Sequence, residues 1–200
     1  MSETQEVFNT MREYRKHIGE YREGLKQMLG TSRFSDATLT ENAAFRARNP
    51  SVGCVYCCPS PITRKIPKDM VVFVLEMNNT VNRIAGIGMI KNRAIVNKYR
   101  VYDNNSYNRH VYIGKMRISR EEMTEEEDQM MRVFDALCFK GPKNMKRGQG
   151  ITLFPVETLY KCAKHVDLVE YIRQMFVSRR PVAIPVPEAV PEADRNKQEE

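Results

Sequence analysis

The sequence predicts an α+β fold: a small mixed β-sheet curled into a pseudo-barrel, with flanking helices and a disordered C-terminal tail. Three observations predict it. Residues 70–77 are almost continuously apolar, as a strand buried on both faces is. After a polar turn come residues 83–90, where Gly86 and Gly88 share one face; glycines there allow sharp curvature, or let a second backbone or a ligand come close. In residues 110–118, Val111, Ile113, Met116 and Ile118 are apolar, but alternation breaks at Gly114 and Lys115, which calls for a bulge or bend.

A chain of 200 residues, 42% hydrophobic, can build a real core. The expected division is an N-terminal helical extension over 1–49, the α+β domain over 50–180 and a proline-rich disordered tail over 181–200. No apolar run reaches membrane-spanning length and no basic-then-apolar leader opens the chain, so the expectation is an intracellular protein with no membrane partner. Five cysteines, an odd number, argue against a disulfide scaffold.

From the N-terminus, Val7, Met11, Tyr14, Ile18, Tyr21, Leu25 and Met28 recur at spacings of four and three, which predicts a helix over 5–29 with Gly30 as its C-cap. Its stripe packs on its own domain or on a second copy of the chain. Thr40 is placed to cap a short helix, Glu41 to Arg48, stopped by Asn49 and Pro50. Val52 to Cys57 is a candidate strand; the three prolines after it exclude an interior strand there. Asparagines in 78–82 suit a turn, and 97–110 is a long polar loop. Ser119 and Thr124 each begin a capping box, and Met130, Met131, Phe134, Leu137 and Cys138 form the apolar face of the helix that follows. A short strand at 150–154 precedes a helix opened by Pro155, and Asp167 is placed to start another.

The net charge of +7 favours a polyanionic partner. Lys91, Arg93, Lys98, Arg100, Arg109, Lys115, Arg117 and Arg120 face only Asp103 between 91 and 120, and Lys140, Lys143, Lys146 and Arg147 form a second cluster. Tyr102 and Tyr107 lie among Arg100, Arg109 and His110, where rings can stack on bases while arginines hold phosphates. Gly148 and Gly150 belong to a glycine-rich basic loop whose backbone N–H groups can form an anion nest. It is no P-loop, lacking the Gly-Lys-Ser/Thr ending.

Metal and catalytic readings fare less well. Cys54 and Cys57, with Cys162 and His165, offer a possible zinc set, but two cysteines on a strand do not converge as on a zinc-binding turn. His110 is the best-placed base, yet nothing pairs it with a nucleophile. Glu76 reads as solvent-facing. No metal and no cofactor is expected.

Residues 66–75, followed by 84–90, resemble the central strand pair of PUA-like domains, the superfamily of ASCH, EVE and YTH modules. The span from 52 to 154, with Lys146 to Thr152, also resembles uncharacterised proteins of large DNA viruses. The resemblance implies a pseudo-barrel that binds RNA or modified bases, in the cytoplasm or nucleus of a host cell if the origin is viral. A tryptophan cage of the YTH kind is impossible here, since the chain has no tryptophan.

The resulting expectation is a non-enzymatic nucleic-acid-binding module, with RNA favoured. Lys91, Arg93, Arg100, Arg109, Lys143, Lys146 and Arg147 would hold phosphates, Tyr102, Tyr107, His110 and Tyr112 would border a base, and Gly148 and Gly150 would let the backbone approach. The alternatives are a protein-interaction or viral assembly factor that uses 5–29, and a nucleic-acid-processing enzyme.

Overall fold

The protein, described here by a computed structural model over residues 11–96 and 98–179, is built on two open sheets. In chain order the elements are α1 (Met11–Gly24), β1 (Met28–Phe34), α2 (Asp36–Arg48), β2 (Cys54–Cys58), β3 (Val71–Asn78), β4 (Arg83–Lys91), β5 (Ile95–Val96), β6 (His110–Gly114), β7 (Met116–Ser119), α3 (Glu125–Phe139), β8 (Thr152–Leu153), α4 (Val156–Ala163) and α5 (Leu168–Ser178). The first sheet runs β7-β4-β3-β1-β8 and the second β2-β6-β5. The α+β class stands; the pseudo-barrel does not. In each sheet the outermost strands pair on one side only, so neither closes on itself.

The expected third strand is two. It breaks at Lys115, and the halves join different sheets: β6 pairs with β2 and β5, β7 with β4. The disrupted alternation near Gly114 is therefore a sheet switch, where a curl had been expected. The helix expected over 5–29 ends at Gly24, and Met28–Phe34 is a strand, parallel to β3 and antiparallel to β8. Residues 5–10 and 181–200, with the expected start of that helix and the expected disordered tail, lie outside the described residues. The second helix starts earlier than Thr40 suggests, because Ser35 and Thr38 form its capping box.

The long sheet buries both faces. Leu29, Phe73, Leu75, Met77, Ile87 and Ile118 pack against Met131 and Phe134 of α3, Leu159 of α4, and Ile172, Met175 and Phe176 of α5. Met28, Phe34, Val72, Val74 and Ile90 pack against the second sheet, beyond which lie α2 and the loop after β5. On α1, Tyr14 and Tyr21 meet Tyr160 of α4 edge-on, at 6.2 and 5.7 Å between centroids. At least that part of the N-terminal stripe is covered by the chain itself.

Between the two sheets sits a buried ionic cluster. Glu76, 2% exposed, accepts from Tyr56 Oη at 2.9 Å and from both Nε and Nη2 of Arg117. The expectation of a solvent-facing Glu76 fails because its strand is covered on both sides. The paired glycines of β4 open the space: a Cβ at Gly88 would stand 2.0 Å from Tyr56 Oη, and one at Gly86 2.8 Å from Arg117 Nη2. Their stripe serves sheet-on-sheet approach. Among the described residues no helix is long and apolar enough to cross a membrane.

Candidate functional site

At the carboxyl end of β1 the chain turns through Ser35 directly into α2, which brings the helix N-terminus beside the end of the strand. On its other side β1 pairs with β8 only at Gly30 and Thr31, so the chain before β8 diverges from the edge. Three segments surround the resulting hollow of about 290 Å³: Ser32, Arg33, Phe34, Ser35 and Thr38; Tyr102 and Tyr107; and Gly148, Gln149 and Gly150. Cys57 and Asn79 complete the walls. The volume lies near the lower end of the roughly 300–1,000 Å³ of small-ligand sites.

Arg33 ties the glycine loop to β1. Its Nε donates to the carbonyl of Met145 at 2.8 Å, its Nη1 to that of Gly150 at 3.2 Å, and its Nη2 to Thr31 Oγ1 at 3.5 Å. All three acceptors are neutral, and no carboxylate of the described residues pairs with it. The side chain is half-buried, and that burial pulls its pKa below the usual arginine value. Gly148 lies over the guanidinium: a Cβ there would sit 3.4 Å from Arg33 Cζ, and its φ of +115° is one that glycine adopts freely. Gly150, with φ +64°, packs on β2, where a Cβ would come 2.3 Å from Cys58 Cβ.

The tyrosine loop is anchored by asparagines. Asn108 Oδ1 accepts from the backbone N–H groups of Val101 and Tyr102, while its Nδ2 donates to Tyr102 O at 2.6 Å. Tyr102 is buried, and its hydroxyl accepts from Asn42 Nδ2 at 3.0 Å. Tyr107 stands edge-on to it, at 6.4 Å and 81°, and is only half-buried. Of the two rings, Tyr107 is the one able to meet a ligand. Opposite, Asn79 Nδ2 donates to Lys146 O at 3.1 Å, but its Oδ1 is buried and accepts no hydrogen bond from the described residues.

The structure thus brings Tyr102, Tyr107, Gly148 and Gly150 together, with Lys146 and Arg147 exposed on the strand of loop leading in. Arg100 and Arg109 are exposed on the tyrosine loop but do not line the hollow. Lys91 and Arg93 lie at the opposite end of β3, where Lys91 pairs with Val71; the seven steps from Val71 to Asn78 at about 3.3 Å each put them about 23 Å away along the strand. Arg93 is ion-paired with Asp69 at 2.8 Å. Lys143 lines a different groove, with Lys140, Lys161 and Phe154. Tyr112 is buried, and its hydroxyl accepts from the Ile62 N–H at 2.8 Å, so its ring serves the core. His110 opens β6, half-buried and paired with Cys58 and Val96. Arg33 escaped the sequence reading, because it belongs to neither basic cluster.

Burial raises the thiol pKa values, to about 12 for Cys54 and Cys138 and about 11 for Cys58; Cys57, in the hollow, is also pushed well up. All four stay protonated near neutrality. Cys54 and Cys57 lie three apart on a regular strand and so point to opposite faces. Among the described residues no three His, Cys, Asp or Glu side chains gather as a metal site would require.

No protein-family model matches the chain, and neither a curated protein nor a solved structure matches it. With two open sheets and no such match, the resemblance to PUA-like, ASCH, EVE or YTH domains, and to proteins of large DNA viruses, is withdrawn. The preference for RNA and modified bases rested on that resemblance and is withdrawn with it.

Proposed function

We propose that the chain binds single-stranded nucleic acid at the hollow beside the end of β1, without a preference for RNA over DNA. The observation that carries this reading is the convergence of three distant segments. One brings a half-buried arginine with no carboxylate partner among the described residues, one an accessible tyrosine ring, and one a pair of positive-φ glycines. Stacking on an aromatic face tolerates every base, and a cationic surround tracks the backbone. Lys146, Arg147 and Arg109, all exposed and close in sequence to the lining residues, extend positive charge along the path a strand would take. The reading is one of binding: Cys57, the thiol in the hollow, is held protonated and is a poor nucleophile.

Fluorescence anisotropy with labelled single-stranded RNA and DNA 12-mers tests it. Micromolar or tighter affinity is expected at low salt, falling about tenfold between roughly 50 and 200 mM, as a few phosphate contacts require. Replacing Lys146 and Arg147 by alanine weakens all sequences alike. No binding at either salt level, or binding indifferent to salt, overturns the proposal.

A further inference from the structure

Resting on that reading, we infer that the hollow takes a single nucleotide, with one phosphate on the Arg33 guanidinium and the base against Tyr107. The first support is the guanidinium's own hydrogen bonding. Arginine has five N–H donors. Three face Met145 O, Gly150 O and Thr31 Oγ1, which leaves two, one on each terminal nitrogen. A planar pair of donors of this kind matches two oxygens of a phosphate.

The second support is charge. A partly desolvated guanidinium gains from a counter-charge, and among the described residues its acceptors are two carbonyls and a hydroxyl. A phosphate would supply that charge. Gly148 and Gly150, both at positive φ, line the hollow beside it, in a loop of the kind whose backbone N–H groups can form an anion nest. The third support is size. About 290 Å³ leaves room for one nucleotide and not for a run of them, so neighbouring phosphates of a strand would fall on the rim by Lys146 and Arg147. The ligand is then a strand end or a free mononucleotide, which share this chemistry.

The test uses the full chain. Each of the four ribonucleoside 5′-monophosphates, the matching nucleosides and inorganic phosphate are titrated by calorimetry, with the backbone amide NMR signals of Gly148, Gln149 and Gly150 followed in parallel. At least one monophosphate is expected to bind tenfold or more tighter than its nucleoside and to move the glycine-loop signals. Arg33→Gln should erase that gap while nucleoside affinity stays within about twofold. Should Arg33→Gln fail to fold by circular dichroism, Arg33→Lys, which keeps the charge and loses the fork, should narrow the gap. Equal affinity for nucleoside and monophosphate in the wild type overturns the inference, as does a gap that either substitution leaves undiminished. If 12-mers bind but the gap is absent, the phosphate placement fails and the strand-binding reading stands. If the gap is present but 12-mers do not bind, the phosphate placement stands and strand binding fails. A 5′-phosphorylated 12-mer that competes with the monophosphate marks the strand end as the source, and one that does not marks the free nucleotide.

Discussion

Arg117 and Arg33 both carry a guanidinium into the protein, and the fold treats them in opposite ways. Arg117 lies between the two sheets against Glu76, with three N–H···O contacts of 2.6 to 3.1 Å and Tyr56 completing the carboxylate's shell. Glycines at 86 and 88 clear the volume for it. Arg33 lines a cavity and, among the described residues, has neutral acceptors only. The difference separates two uses of one side chain. Where an arginine serves the architecture, an acid is built beside it, because an unpaired buried charge is heavily penalised. Where no acid is supplied and a cavity opens beside the cation, a ligand's charge can fill the place.

The largest expected effect lies in the first region. Glu76→Ala strands the Arg117 charge between the sheets and should cost about 3–5 kcal/mol of unfolding free energy in urea titrations; a loss below about 1 kcal/mol would show that Arg117 escapes to solvent. Gly88→Ala comes next, at about 1–3 kcal/mol, since the new methyl would overlap Tyr56 Oη and the sheets would have to part. In the second region Arg33→Gln should change stability by only about 1 kcal/mol: it loses hydrogen bonds to the glycine loop but also removes a partly desolvated charge. A loss as large as that of Glu76→Ala would erase the contrast and make Arg33 architectural.

The smallest effect is in acid. Arg120, buried beside Asp128 and Asp135, belongs to the architectural class, and its hydrogen bond and that of Arg132 hold Asp128 at about 2. A carboxylate depressed in the folded state stabilises fully above its unfolded pKa of about 3.9 and loses that contribution as pH falls through about 2. Asp128 is partly exposed, so the loss should be of order 1 kcal/mol. Asp128→Asn should flatten the fall in melting temperature over that window.

What could be read in the sequence was local. The apolar run of β3, the asparagine turn after it and the capping boxes at Ser119 and Thr124 each express a short-range rule, and the structure uses all of them. Asp167 likewise caps α5 through the Val169 and Glu170 N–H groups. β1 was not legible. Its residues, Met28–Phe34, include Gly30, Thr31, Ser32 and Arg33, which look like a helix end and a loop; they extend only because β3 and β8 pair on either side. Sheet closure also depends on pairing between distant strands, which no local period encodes, so a curl and a switch between sheets near Gly114 look alike. The candidate site was half legible. Tyr102, Tyr107, Gly148 and Gly150 announce themselves by type and crowding, but Arg33 joins them only through the fold. Glu76 carried an unused signal: an acid within a buried apolar strand requires a partner.

The central claim is that Arg33 holds a phosphate of the bound strand. The most direct measurement is the salt dependence of 12-mer affinity in the wild type and in Arg33→Gln. Removing one phosphate contact should weaken binding and make the slope of log affinity against log salt shallower by about 0.7, the value for one contact on a single strand. Equal affinity and equal slope in the two proteins would contradict the account.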